Sequence, residues 1–153
     1  MIIRPATDRD AHAISQCLAE AFEPYRAQYT AGAFTDTVLT ADSAHERMKH
    51  MTILVAEHAS AIVGTIGYEA GTRGEGHLRG MAVQRAAQGS GLAHRLLSAA
   101  ESALRDAGCD RVTLDTTRPL TRAIAFYQRH GYVTTGVISD FYGMELIEYS
   151  KDL

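Results

Sequence analysis

The chain has 153 residues and a formal net charge of −3, with 46% apolar and 22% charged side chains. This length suits one folded domain with a sizeable core, and the composition excludes a chain that is disordered throughout. No apolar run approaches the ~18 residues of a membrane helix. From the length we expect a single domain over residues 1–153. Two cysteines are too few for a disulfide framework and residues 1–5 resemble no secretory leader, so we expect the protein in the cytoplasm.

Charge is distributed unevenly along the sequence. Residues 79–129 carry eight arginines against four acids, whereas residues 1–78 carry six basic groups against ten acids and residues 130–153 one against four. The acidic balance argues against nucleic acid as a partner. A basic middle suits a phosphorylated cofactor, with a cationic acceptor bound elsewhere, although chance scatter of surface charge explains the pattern equally well.

The first half of the chain predicts one strand, two helices and a hairpin. Asp8 is the expected cap of the first helix, and Pro24 ends it. Residues 25–41 show no clear period, and the second helix is expected to be capped by Asp42 or Ser43. In chain order the predictions are a strand at 2–4, a helix between Asp8 and Pro24, a helix at 42–50, and a hairpin of strands at 52–57 and 62–68.

The second half alternates strands and helices. The strongest helix has an apolar stripe from Leu92 to Ala107, and Gly108 is well placed to stop it. The order of elements predicts a mixed α/β sheet. The remaining predictions are a glycine-rich loop at 71–76, strands at 77–83 and 111–115, a helix at 121–130, and strands at 132–137 and 143–149.

A glycine-containing turn joins the predicted strand ending at Val83 to the strongest helix. The first amides of a helix lack internal acceptors, the helix dipole places positive charge there, and glycines allow a ligand to approach closely. The turn therefore suits a phosphate or pyrophosphate. It is neither a P-loop nor the dinucleotide fingerprint, whose third glycine is replaced by His94. A plain strand-to-helix turn is the alternative interpretation.

Two blocks carry a family resemblance. Residues 88–93, Gln-Gly-Ser-Gly-Leu-Ala, follow the pattern Gln/Arg-x-x-Gly-x-Gly/Ala. Residues 121–132 resemble Asn-x-x-Ala-x-x-x-Tyr-x-x-x-Gly-Phe, with Thr121 in place of Asn as the helix cap and Tyr132 in place of Phe. With the order of elements, the chain resembles the GNAT superfamily of N-acetyltransferases. The resemblance implies a mostly antiparallel sheet of about seven strands, flanked by about four helices and splayed between strands four and five.

The resemblance also implies transfer of an acetyl group from acetyl-coenzyme A to a primary amine by direct attack in a ternary complex, without a metal. In the family, the glycine turn holds the pyrophosphate, Val83 pairs with the pantetheine arm, and the Met81 amide polarises the thioester carbonyl, a role worth ~3 kcal/mol. The tyrosine at position 127 would protonate the departing thiolate. The residues expected at the cofactor are Met81, Ala82, Val83, Gln88, Gly89, Ser90, Gly91, Leu92, Ala93, Thr121 and Tyr127.

Three residues compete as the base that removes a proton from the amine. His77 lies on the fourth predicted strand, and a neutral imidazole can accept a proton near neutral pH. Glu75 shares its sheet face if the strand extends so far. Asp115 ends the fifth strand, at a position where some relatives carry an acid. The alternatives are that His77 is a half-buried strand histidine, that Glu75 is a solvated loop charge and that Asp115 caps a turn. In that case a water chain without a single base removes the proton.

The resemblance places the acceptor between residues 22–34 and 138–143. An aromatic wall is expected there, with plain core packing as the alternative, and its residues are Tyr25, Tyr29, Phe34, Phe141 and Tyr142. Three acids are expected to attract a cationic amine, and they are Glu23, Asp36 and Asp140. The acceptor is a small molecule or a peptide, with no nucleic acid or membrane partner, and a homodimer is one expected assembly. A catalytically silent coenzyme A-sensing or partner-binding module is the alternative function.

Overall fold

Seven strands form one sheet in the computed structural model, which describes residues 1–153. The sheet order is β1-β2-β3-β4-β5-β7-β6, and all neighbours are antiparallel except β4 and β5. The predicted mixed, mostly antiparallel sheet is confirmed. The strands are β1 (Ile2–Pro5), β2 (Thr52–His58), β3 (Ala61–Ala70), β4 (Glu75–Val83), β5 (Arg111–Thr116), β6 (Val133–Phe141) and β7 (Met144–Asp152).

Five α-helices accompany the sheet, where the sequence predicts four. They are α1 (Ala11–Phe22), α2 (Ala31–Thr37), α3 (Ala41–Met48), α4 (Leu92–Asp106) and α5 (Thr121–Arg129). The helix that the sequence analysis missed is α2, which follows a 3₁₀ turn at Glu23–Gln28. It has seven residues, or about two turns, which is too short to display a repeat. No helix of the fold combines the length and the apolar character that crossing a bilayer requires.

Two predicted helix caps are wrong. A 3₁₀ turn precedes α1, and its cap is Thr7, whose amide donates to Asp10 Oδ2 at 2.8 Å, while Asp8 contacts a histidine of α3 instead. The cap of α3 is Thr40, whose hydroxyl accepts from the Ser43 amide at 3.1 Å. Thr7 thus starts the 3₁₀ turn and Asp10 directly precedes α1, whereas Thr40 starts α3 two residues before Asp42.

The cap predicted at Thr121 is also wrong. The residue that caps α5 is Leu120, and Thr121 is the exposed first residue of the helix. The family pattern places its Asn seven residues before its Tyr, and seven residues before Tyr127 stands Leu120. Leucine has no polar atom that could accept a helix amide, so α5 begins without a side-chain cap.

Two apolar clusters pack on opposite faces of the sheet. Neighbouring residues of β2, Leu54 and Val55, belong to different clusters, as the alternation of side chains along a strand requires. The first cluster joins the sheet to α4, and the second joins it to α1 and α3. Each fully buried leucine or isoleucine contributes about 2 kcal/mol relative to exposure. Both cysteines are buried, and burial raises the pKa of Cys17 to about 12.

The two parallel strands separate partway along their length. Pairing between β4 and β5 runs from Glu75 and Arg111 only to Leu78 and Leu114, although β4 continues to Val83. A bulge at residues 80–81 of β4, neither of which has a register partner on β3, turns the strand at this point. The expected splay between strands four and five is confirmed.

Glycines in the sheet let α4 lie close to it. A Cβ atom at Gly76 of β4 would stand 2.8 Å from Leu104 Cδ2, and one at Gly64 of β3 would stand 2.9 Å from Leu96 Cδ1. Either addition would push the helix outward, because neither distance accommodates a carbon atom. The close contact holds the start of α4 beside the end of β4.

A buried charged cluster ties α4 to β7. Glu101 of α4 is only 6% exposed, and its carboxylate accepts from the Tyr132 hydroxyl at 2.7 Å and from Lys151 Nζ at 2.9 Å. Burial, and then the hydrogen bond to this carboxylate, raise the pKa of Tyr132. The cluster thus connects the helix, the residue that follows α5, and the last strand.

We expect the two partners of Glu101 to differ in their effect on stability. Lys151→Met should lower the free energy of unfolding by about 3 kcal/mol, because it leaves a buried carboxylate without a counter-charge. Tyr132→Phe removes one hydrogen bond to a charged group and should cost about 2 kcal/mol. Urea unfolding measures both, and Glu101→Leu added to Lys151→Met should restore part of the loss. A smaller loss for Lys151→Met than for Tyr132→Phe would contradict this account of the cluster.

Candidate active site

A cavity of about 790 Å³ occupies the gap that opens between β4 and β5. Its walls are the ends of these two strands, the first turn of α4, one face of α5, and side chains from α1 and the segment that follows it. We call the part beside the glycine turn the turn end, and the part lined by Tyr25, Tyr29, Asp36 and Arg47 the acceptor end.

The six successive backbone amides from Gly89 to His94, at the turn end, make no hydrogen bond of normal length and angle within the protein. Gly89 and Gly91 have φ angles of +78° and +83°, which favour glycine, and a Cβ atom at either would meet nothing within 4 Å. The turn therefore borders open space at the positive end of a 15-residue helix. Such a row can bind an anion through several hydrogen bonds at once.

Gln88 connects the turn to its surroundings. Its Nε2 atom donates to the Val83 carbonyl at 3.2 Å, and its Oε1 atom accepts from Arg122 Nη1 at 3.3 Å. Arg122 lines the cavity from α5 and adds positive charge near the amides. Ser90 does not line the cavity, and its hydroxyl donates to the Ala87 carbonyl.

A histidine pair also lines the turn end. His94 Nδ1 and His130 Nε2 are 2.9 Å apart, and His130 Nδ1 lies 2.8 Å from the Phe126 carbonyl. Since a carbonyl only accepts, His130 carries its proton on Nδ1, and His94 is the donor within the pair. The pair joins the first turn of α4 to the end of α5 across the cavity.

Thr116 has a buried hydroxyl without a partner. The residue ends β5, lines the cavity and is only 4% exposed, yet its Oγ1 atom makes no hydrogen bond. An unsatisfied buried hydroxyl costs about 1–3 kcal/mol, so this atom lowers the stability of the wall of the gap. No sequence signal distinguishes this threonine, because threonine is an ordinary strand residue.

Tyr127 and Met81 meet across the gap. The Tyr127 hydroxyl, carried by α5, donates to Met81 Sδ of β4 at 3.4 Å. Burial raises the pKa of Tyr127, so the phenol stays protonated well above neutral pH. The structure therefore brings together the two residues that the sequence analysis assigned to the reacting thioester.

Two of the three base candidates lie side by side at the cavity. His77 Nε2 is 3.8 Å from Asp115 Oδ2, and His77 Nδ1 is 2.9 Å from Thr113 Oγ1. Thr113 has the Gly76 carbonyl as an acceptor at 3.5 Å, so its oxygen can accept a hydrogen bond from Nδ1–H. In this tautomer the Nε2 lone pair of His77 lies in the cavity beside Asp115. Burial raises the pKa of Asp115, and the neighbouring His77 opposes this effect.

The third candidate lies apart from the cavity. Glu75 does share the sheet face of His77, because β4 begins at residue 75. Its carboxylate forms an ion pair with Arg111 of β5 and does not line the cavity. The structure thus brings His77 and Asp115 together with Tyr127 but leaves Glu75 outside.

The acceptor end contains part of the predicted aromatic wall. Tyr25, Tyr29 and Phe141 line it, and the Tyr29 hydroxyl lies 2.6 Å from Thr117 Oγ1. Phe34 is buried beneath the Arg26 guanidinium and, like Tyr142, does not line the cavity.

One of the three predicted acids lines the acceptor end. Asp36 is there, but its carboxylate already pairs with Arg79 Nη2 at 2.8 Å. Glu23 pairs with Arg26, and Asp140 does not line the cavity. Arg47 and Arg79 line this end and were not predicted from the sequence. No group of three or more His, Cys, Asp or Glu side chains is arranged to hold a metal ion.

Comparisons with known proteins agree with this geometry. Residues 13–132 match the model of the acetyltransferase (GNAT) family. A PaiA N-acetyltransferase from Thermoplasma acidophilum, in complex with coenzyme A, is similar in structure with a TM-score of 0.83 and 17% identity, covering 99% of this chain and 98% of that chain. A ribosomal-protein-alanine N-acetyltransferase from Brucella melitensis has a TM-score of 0.78 and 21% identity, covering 100% of both chains.

A further solved structure contains a cofactor. The yncA protein of Salmonella typhimurium, with its cofactor acetyl-CoA, has a TM-score of 0.73 and 20% identity, covering 100% of this chain and 94% of that chain. No curated protein sequence matches the chain. At these identities the solved structures support the fold.

The partnerless hydroxyl of Thr116 leads to a prediction about stability. Thr116→Val keeps the shape and removes an unsatisfied polar atom, so the free energy of unfolding should rise by about 1 kcal/mol. Thr65→Val is the matched control, because the buried Thr65 hydroxyl donates to the Leu54 carbonyl at 3.1 Å and its loss should cost about 1 kcal/mol. Urea unfolding compares them, and a loss of stability in Thr116→Val would mean that its hydroxyl has a partner after all.

Proposed function

Because the chain belongs to the acetyltransferase (GNAT) family, we propose that it is an N-acetyltransferase that moves an acetyl group from acetyl-coenzyme A to a primary amine by direct attack in a ternary complex. The observation that carries the proposal is the row of six unpaired amides from Gly89 to His94, at the mouth of the gap between β4 and β5. A pyrophosphate supplies the acceptor oxygens that such a row lacks.

The residues present fit coenzyme A along the whole gap. The amides of the glycine turn would hold the pyrophosphate, with Arg122 as a neighbouring cation. The free backbone of β4 near Val83 would pair with the amide groups of the pantetheine arm, as a strand edge pairs with an extended chain.

In the proposed reaction, acetyl-coenzyme A supplies an activated thioester. The Met81 amide lies at the bulge, away from the β3 register, and would donate to the acyl oxygen as negative charge develops there. The amine must lose a proton before or during attack. We assign this proton to His77 Nε2, and the Asp115 carboxylate, 3.8 Å away, would stabilise the resulting imidazolium.

Tyr127 would act on the leaving sulfur. A thiol has a reference pKa of ~8.5, whereas burial raises the pKa of Tyr127 above that of an ordinary phenol. The phenol is therefore a weaker acid than the thiol that it faces. Its expected contribution is a hydrogen bond that stabilises the departing thiolate, and the thiolate then gains its proton from solvent.

The amide row can be tested by charge at one position. Gly91→Glu should weaken coenzyme A binding roughly 100-fold relative to Gly91→Gln, because both variants share the strain of a φ of +83° but only one places a carboxylate against the phosphates. Calorimetric titration with coenzyme A and with acetyl-coenzyme A measures the difference. Equal affinities would show that the pyrophosphate lies elsewhere. Tight binding without thiol release for any amine would favour the catalytically silent module.

The base can be tested by the pH dependence of thiol release. We expect His77→Gln to abolish the fall of kcat/KM at acid pH, and Asp115→Asn to move that fall to lower pH, because the imidazolium loses its counter-charge. Tyr127→Phe should lower kcat while keeping the fall in place. An unchanged acid limb in His77→Gln would remove His77 as the base and leave Asp115 or a water chain.

A further inference from the structure

Arg47 of α3 is a cation without a partner at the acceptor end of the cavity. Its side chain lines the cavity and makes no hydrogen bond or ion pair with any group of the protein. Every other charged side chain at this end is engaged, since Arg79 and Asp36 pair with each other at 2.8 Å. Arg47 therefore adds an unpaired positive charge at this end, and the other acid of the cavity, Asp115, lies beside His77.

The surroundings of Arg47 make its unpaired charge unfavourable for the stability of the fold. Burial, and then the nearby charge of Arg79, lower the pKa of Arg47 to about 10, and Asp36 opposes this only in part. A partly buried charge that lacks a counter-charge destabilises a fold, and one of the common ways in which it is satisfied is by a ligand of opposite charge. A guanidinium presents two parallel N–H groups, which match the two oxygens of a carboxylate.

The position of Arg47 relates it to the reacting groups. Its Nη1 atom lies against the β4 bulge, 3.2 Å from the point where a Cβ atom of Gly80 would stand, and Met81 is the next residue. On the same strand face, His77 stands two residues before Arg79, about 7 Å along the strand. Arg47 and the proposed base His77 thus both lie along β4, separated by about three residues, or roughly 10 Å of strand.

We propose that the acceptor is an amine that also carries a carboxylate, as an amino acid does, and that Arg47 binds this carboxylate while the amine lies near His77. The proposal rests on the proposed acetyl transfer and specifies its substrate class. It reverses the expectation, drawn from the acids of the sequence, that this end attracts a purely cationic amine. A polyamine would bring positive charge against Arg47 and Arg79 without a group to pair with them.

Matched acceptor pairs test the substrate class. Thiol release from acetyl-coenzyme A is measured with the twenty amino acids, β-alanine and 4-aminobutyrate, each against its carboxamide, and with spermidine. We expect at least one acid to exceed its carboxamide in kcat/KM roughly 100-fold. Carboxamides or spermidine as the better acceptors would overturn the carboxylate proposal and leave the acetyltransferase proposal standing. If none of the tested amines supports thiol release, both proposals are overturned.

Arg47 variants test the assigned residue. Arg47→Gln should remove most of the preference for the acid by lowering its kcat/KM roughly 100-fold, while the carboxamide changes little. Arg47→Lys keeps the charge without the fork and should fall between the two. Arg26→Gln is the control, because Arg26 pairs with Glu23 and lies outside the cavity. An acid preference that survives in Arg47→Gln would mean that another group binds the carboxylate.

Unfolding measurements separate recognition from folding. Since Arg47 has no partner in the protein, Arg47→Gln should retain or raise the free energy of unfolding relative to the parent chain. Coenzyme A affinity should also stay the same, because Arg47 lies at the acceptor end. A loss of stability that accompanies the loss of activity would instead assign Arg47 a structural role.

Discussion

The end of pairing between β4 and β5 at Leu78 and Leu114 is the constraint on which the rest of the site depends. Two parallel strands that remained paired would leave no gap, and their backbone groups would all be satisfied within the sheet. The bulge at residues 80–81 instead turns β4 away, so its free edge needs a partner from outside. The cavity, the exposed amides of α4 and the contact between Tyr127 and Met81 all lie along this gap.

One side of the gap is held in place because α4 is fixed by contacts elsewhere in the fold. Close packing of α4 on Gly76 and the buried cluster around Glu101 hold the helix from two directions. The groups that the fold leaves unsatisfied nevertheless collect at one place, because the glycine turn, Thr116 and Arg47 all belong to the walls of the same cavity. Functional sites commonly contain polar or charged groups that the fold leaves unsatisfied and that a bound ligand can satisfy.

Periodicity and composition predict most of the elements, because apolar residues in α4 and in the β2–β3 hairpin repeat clearly. The splay between β4 and β5 was predicted from the family resemblance, because nothing in the local sequence distinguishes a paired strand from a diverging one. The α2 helix escaped prediction because seven residues are too few to show a repeat, and the caps were misassigned because several residues of capping type stand close together before α1 and α3. The sequence also could not show that Arg47 is unpaired, because the pairing of Asp36 with Arg79 is formed only in the folded structure.

The order β5-β7-β6 has a consequence for how the chain is made. On the ribosome, β6 emerges before β7, yet β6 bonds to the sheet only through β7. Until that last strand appears, β5 offers an open apolar edge and β6 has nowhere to attach, which is the situation in which nascent strands associate wrongly. Lys151, the counter-ion of Glu101, arrives with the same strand. Vectorial synthesis therefore leaves β6 unpaired, and the edge of β5 open, until β7 has been made.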